Sequence, residues 1–93
     1  MLAINEYFDG NVKSISFNEG ARKATVGVMA AGDYDFGTAG AELMTVVAGT
    51  MSVKLPGSTE WKEFKAGEDF RVGENSRFQL RIAADAAYLC RYL

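Results

Sequence analysis

The sequence predicts a single all-β domain of short antiparallel strands closed into a small barrel, covering residues 1–93. Three observations carry this. Apolar and polar residues alternate over short runs, glycines interrupt those runs at brief intervals, and no stretch holds a helical period for three turns. Ten glycines against one proline suit a chain of tight turns, where φ must often be positive.

Taken in order, strands are expected over residues 12–17 and 24–30, divided at Glu19-Gly20, and over 34–36 after Ala31-Gly32. Residues 43–48 and 50–55 follow, split at Gly49. Pro56-Gly57 then leads to a strand at 61–64, Ala66-Gly67 to one at 69–72, and Gly73-Glu74-Asn75 to one at 78–82. A last strand at 87–92 ends the chain. Two strands declare their faces. Met51, Val53 and Leu55 alternate with Thr50, Ser52 and Lys54, and Phe78, Leu80 and Ile82 alternate with Gln79 and Arg81, so Lys54 and Arg81 point outward. Residues 43–47 are apolar on both faces apart from Thr45. Such a strand is expected to be covered twice, once by the core and once by a second subunit. With only 93 residues to build a core, pairing into a homodimer is the expected source of extra stability.

Composition removes several chemistries. Net charge is −2 with both signs scattered, so the basic stripe of a nucleic-acid binder is missing. The start, from Met1 to Glu6, has neither a basic segment nor an apolar run of signal-peptide or membrane length, and one cysteine, Cys90, allows no internal disulfide. Both fit a soluble protein of the reducing cytoplasm. There is no histidine, which removes the commonest metal ligand and every serine–histidine or cysteine–histidine scheme. No metal or other cofactor is expected.

The spacing from Gly32 through Thr38, Gly40 and Glu42 to Gly49 resembles the first cupin motif, with Thr38 and Gly40 where two metal-binding histidines would stand and Glu42 retained. Gly67, Gly73, Asn75 and Phe78 resemble the second motif, with Phe78 in place of its histidine. The frame is therefore that of a cupin-type barrel (an RmlC-like jelly roll) without its metal site. Consecutive words sharpen the likeness: Asn5-Glu6-Tyr7-Phe8, Val12-Lys13-Ser14-Ile15, Val26-Gly27-Val28-Met29, Met44-Thr45-Val46, Asn75-Ser76-x-Phe78 and the ending from Tyr88 to Leu93. They resemble the pyrimidine/purine nucleoside phosphorylase family from residue 5 to the C-terminus; Gly73 departs from the proline its members tend to carry.

That resemblance implies phosphorolysis: inorganic phosphate, as co-substrate, attacks C1′ of a purine or pyrimidine nucleoside and releases the base and a pentose 1-phosphate. A sugar with oxocarbenium character needs donors for the phosphate, hydrogen bonds to the ribose hydroxyls and stabilisation of the leaving base. Strand parity turns Arg71 and Arg81 to solvent. Arg91 is the preferred phosphate donor, although either side of its strand could face inward; Arg22, in a turn with Lys23, and Arg77, before inward Phe78, stand behind it. Glu42 is the expected carboxylate inside the barrel, Thr38 and Thr45 offer hydroxyls, and Tyr7 and Tyr88 offer aromatic contact to a base. The ordinary alternative for each is an exposed arginine, a turn glutamate, a β-branched strand residue or a core aromatic. Cys90 is expected to be a buried, inert thiol, and Trp61 a packing anchor. A cupin that binds a small molecule without turning it over is the competing class; a metal-dependent cupin oxygenase or isomerase lacks its histidines.

Overall fold

The structure is a computed structural model covering residues 1–93. It holds ten strands and no helix: β1 (Ile4–Tyr7), β2 (Val12–Glu19), β3 (Arg22–Met29), β4 (Gly32–Gly37), β5 (Glu42–Ala48), β6 (Thr50–Lys54), β7 (Lys62–Lys65), β8 (Asp69–Val72), β9 (Arg77–Ile82) and β10 (Ala86–Tyr92). No helix is therefore long and apolar enough to cross a membrane. Nine strands fall where alternation predicts them, with shifted ends. The tenth, β1, was not foreseen, because Ile4-Asn5-Glu6-Tyr7 has no repeating apolar face; it forms as an edge strand by pairing Ile4 with Ile15 and Tyr7 with Val12.

The strands form two sheets that face one another, a six-stranded one in the order β1-β2-β3-β10-β5-β8 and a four-stranded one in the order β4-β9-β6-β7. All pairings are antiparallel. The expected closed barrel is thus corrected to a two-sheet sandwich of the jelly-roll kind. The edges meet through side chains, with no hydrogen-bonded ladder joining one sheet to the other. On one side Tyr7 and Phe8, at the β1–β2 turn, pack edge-on against Phe36 of β4 with ring centroids 6.0 and 5.2 Å apart. On the other, Phe64 of β7 lies 4.9 Å from Phe70 of β8. Alternation in the sequence marks which face of a strand is inside, but not whether an edge strand finds a hydrogen-bonding partner.

Between the sheets lies a continuous apolar core that includes Val12, Met29, Met44, Val46, Met51, Val53, Phe70, Val72, Phe78, Leu80 and Ile82. Met51, Val53 and Leu80 are fully enclosed, as the alternation of β6 and β9 requires. The turn between β8 and β9 carries Asn75 at φ 48°, a left-handed conformation that asparagine tolerates better than most residues. Thr38 ties this turn down: its hydroxyl donates to the Gly73 carbonyl at 2.6 Å and accepts the Ser76 amide at 3.0 Å.

Candidate functional site

The cross-strand registers set the inner face of the six-stranded sheet out in rows. One row runs Tyr7, Val12, Met29, Ala86; the next Asn5, Ser14, Gly27, Tyr88, Val46; the third Ser16, Thr25, Cys90, Met44, Phe70. At the end of β5 and β10, Tyr92 stands opposite Glu42. The face is therefore divided. Over β5 and β8 it is apolar apart from Glu42 at the start of β5 and packs into the core, whereas over β1, β2, β3 and β10 it carries amide, hydroxyl and thiol groups. Inward polar residues at this density need partners or a ligand.

A pocket opens above this polar half, between it and strand β4. Thr25, Glu42, Tyr88, Cys90 and Tyr92 line one wall, and Met29, Met44, Phe36, Gly37 and Phe78 line the rest, around about 420 Å³ of space with its open mouth included. Much of that space is open mouth: the cavity proper holds about 70 Å³, so a ligand of more than a few atoms would occupy the mouth as well. Burial raises the Glu42 carboxyl above the usual carboxylate range, opposed by a hydrogen bond from the Cys90 thiol, whose Sγ lies 3.4 Å from Glu42 Oε1. The same burial, with the adjacent carboxylate, pushes Cys90 up to about 12. Tyr92 is pushed up to about 12, chiefly by burial and then by Cys90, against a hydrogen bond with Thr25. Tyr88 also stands at about 12 through burial, opposed by a hydrogen bond with Ser14. At neutral pH the wall thus presents neutral donors around one strained-to-ionise carboxyl.

The residues singled out from the sequence distribute as follows. Glu42 and Tyr88 line the pocket. Tyr7 is not among the residues that line it, but lies edge-on to Phe36, which does, and close enough to Tyr88 and Tyr92 to influence both. Arg91 lies on the outer side of β10, since Tyr88 and Cys90 point inward, and its guanidinium grips Glu19 at 2.7 and 3.1 Å, which lowers the Glu19 carboxyl. Arg22 is exposed in the β2–β3 hairpin, opposite Glu19. Arg77 pairs with Asp35 at 2.9 Å on the outer side of β9, across Gly37 from the pocket. Thr38 spends its hydroxyl on the β8–β9 turn, and Thr45 faces outward between Leu89 and Asp69. Trp61 packs under the Arg81 guanidinium at 4.2 Å, away from the pocket.

Sequence reading missed Thr25 as a member of this site; it counted Tyr92 among the aromatics that could stack on a base and put Lys23, with Arg22, in a turn that could border a cavity mouth. Lys23 shares the parity of Thr25, Gly27 and Met29, so it stands at the end of the inner face, two residues (about 7 Å) along β3 from Thr25. It is exposed, forms no ion pair, and is the one cation on this inner face. Parity along 22–29 was the available signal, but the orientation of β3 was fixed only by its pairing with β2 and β10.

The fold is a two-sheet, cupin-like one, with a pocket between the sheets and no histidine in it. Comparison bears out the fold: the structure matches an RmlC-like cupin from Shewanella frigidimarina with a TM-score of 0.76 over 98% of this chain and 82% of the other, at 20% identity. The chain belongs to the pyrimidine/purine nucleoside phosphorylase family, whose model matches residues 2–92. A relative of that name from Tolumonas auensis is 59% identical over 92 residues, covering 99% of both chains. A crystal structure of a Vibrio parahaemolyticus protein of unknown function matches with a TM-score of 0.97 and 45% identity, over 100% of this chain and 99% of the other.

Proposed function

We propose that this protein is a nucleoside phosphorylase, a pentosyltransferase that uses inorganic phosphate to split purine and pyrimidine nucleosides without a metal or organic cofactor. Family membership supports the reaction, and one observation carries the site: the inter-sheet pocket sets hydroxyl and carboxyl groups of the six-stranded sheet, with Met29 and Met44 beside them, against Phe36 and Phe78 of the four-stranded sheet. A nucleoside has the same division. Its ribose hydroxyls fit Glu42, Thr25 and Tyr92, and its base fits Phe36, Phe78, Met29 and Met44. Phosphate enters at the mouth, where Lys23 supplies the positive charge. A phosphate oxygen bonds to C1′ as the C1′–N bond breaks, and the electron pair leaves on the base nitrogen. The base then takes a proton from a neutral donor in the wall or from water.

The test is release of base and pentose 1-phosphate from uridine and adenosine, with and without phosphate. Saturable nucleoside binding with no phosphate-dependent turnover would favour the non-catalytic cupin. Within this reading, Lys23→Ala raises the phosphate KM about tenfold or more, as loss of a charge-assisted contact should, while uridine KM moves little.

The whole chain acts as one domain, and it pairs into a homodimer through the outer face of the six-stranded sheet. Ile4, Ile15, Val26 and Leu89 stand side by side across four strands there, and Val26, Val28 and Val47 are each about half exposed, at 46, 54 and 53%. The next row holds Arg91, which pairs with Glu19, and Arg71, which gives the patch a charged border of both signs, as a self-complementary two-fold contact needs. A buried lone thiol without a disulfide suits a cytoplasmic setting, where phosphorolysis of nucleosides would serve salvage of their bases.

A further inference from the structure

Gly27 sits in the middle of β3, where glycine weakens a strand unless something approaches its backbone closely. Its φ is not in the left-handed region, so conformational freedom does not explain it. The neighbour does. The Tyr88 ring lies flat across Gly27: a Cβ there would fall 2.5 Å from both the ζ carbon and the hydroxyl oxygen of Tyr88, far inside contact distance. Because Tyr88 and Gly27 are directly paired, and Gly27 is paired with Ser14, the ring spans β3 and brings its hydroxyl to the strand beyond.

There it meets an ordered chain of donors. Asn5 Nδ2 donates to Ser14 Oγ at 3.2 Å and to Ser16 Oγ at 3.0 Å. Ser14, 3% exposed, accepts from Asn5 with one lone pair and keeps its own proton for the Tyr88 hydroxyl, which stands across Gly27 from it. With Ser14 donating to the Tyr88 oxygen, the phenolic proton is left for the pocket that Tyr88 lines. We infer that Tyr88 is the hydrogen-bond donor to bound nucleoside, and that Gly27 and Ser14 are positioning residues that act through it, Gly27 by seating the ring and Ser14 by orienting the hydroxyl. The role rests on the nucleoside reading of the pocket. Burial keeps the phenol protonated throughout the neutral range, so its donor is always present.

The experiment is a pair of double-mutant cycles on kcat/KM for phosphorolysis of uridine, with uridine binding measured by calorimetry in parallel and melting temperature recorded for each variant. Tyr88→Phe, which keeps the ring, is expected to lose about tenfold or more in kcat/KM, and Ser14→Ala a smaller amount; together they should lose no more than Tyr88→Phe alone. Gly27→Ala should lower kcat/KM in the parent but leave it unchanged in a Tyr88→Ala background, where no ring is left to displace. Should Gly27→Ala fail to fold, the Ser14 cycle alone decides. Multiplying losses in the Ser14 cycle, an equal Gly27→Ala loss in both backgrounds, or full activity and binding of Tyr88→Phe would overturn the inference. A parent that binds uridine without turnover removes the phosphorylase reading, while the same non-additive pattern in Kd upholds Tyr88. A parent that does neither overturns both.

Discussion

Replacing Glu42 by glutamine tests the pocket at the one group whose ionisation the fold opposes. Glutamine keeps an oxygen for the Cys90 thiol at nearly the same position and cannot ionise. In the native chain burial raises the Glu42 carboxyl above its ordinary 4.5. Between 4.5 and that raised value, the folded protein holds a proton that the unfolded chain has lost. Stability of the native chain should therefore fall as pH rises through this window, by at most about 1.4 kcal/mol per pH unit, whereas Glu42→Gln loses nothing from this source. A domain of this size melts about 4–8 °C lower per kcal/mol, so the two curves should separate by up to about 6–11 °C per pH unit inside the window. Below it both side chains are neutral and the offset should be constant; above it the variant should be the more stable protein. Scanning calorimetry of both proteins from about pH 4 to about pH 8 reads this directly. Melting curves that run parallel over the whole range would mean that Glu42 ionises freely, and the pocket would lose its buried carboxyl.

Other outcomes follow from the same geometry. Leu80→Ala, at a fully enclosed position between Tyr34 and Val53, should cost about 3–5 kcal/mol by urea unfolding, and a loss below about 1 kcal/mol would contradict a packed core between the sheets. Val26→Glu puts a charge in the centre of the outer apolar rows and should yield a monomer of unchanged fold by sedimentation; an unchanged dimer would place the interface elsewhere. Arg91→Ala should weaken that dimer and leave the phosphate KM in place, and a raised phosphate KM with an intact dimer would return Arg91 to the site. Cys90, with its thiol held near 12, should resist a thiol reagent in the native protein and react fully once unfolded; fast native labelling would show that the thiol is not enclosed.

How far the site could be read from the chain differs from residue to residue. Glu42 was legible from its place in the cupin-like spacing, and Tyr88 from a C-terminal run of aromatic character. Arg91 was legible as a functional-looking cation but not as an outward one. The final strand alternates Tyr88, Cys90 and Tyr92 with Leu89, Arg91 and Leu93, two sets of similar hydropathy, and only pairing with both β3 and β5 chose between them. Lys23 and Thr25 looked like parts of a turn and an ordinary strand until the same pairing turned them toward the pocket. The hydroxyl of Thr38 was equally available to a ligand or to the backbone, and the neighbouring β8–β9 turn took it.

By itself the sequence determined that the fold is all-β, where nine of its ten strands lie, which residues of β6 and β9 face inward, that histidine chemistry is absent, and, through its wording, the family. These properties are local: they depend on a period of two, on turn residues and on residue types. Tertiary structure alone decided that the sheets stay open at both edges and are joined by aromatic contacts, since edge pairing depends on strands distant in the chain. It also decided which face of β10 is inside, and with it the site. Gly27 shows the difference most sharply: in the sequence it is one glycine among ten, and its role exists only because the Tyr88 ring, sixty-one positions later, lies across it.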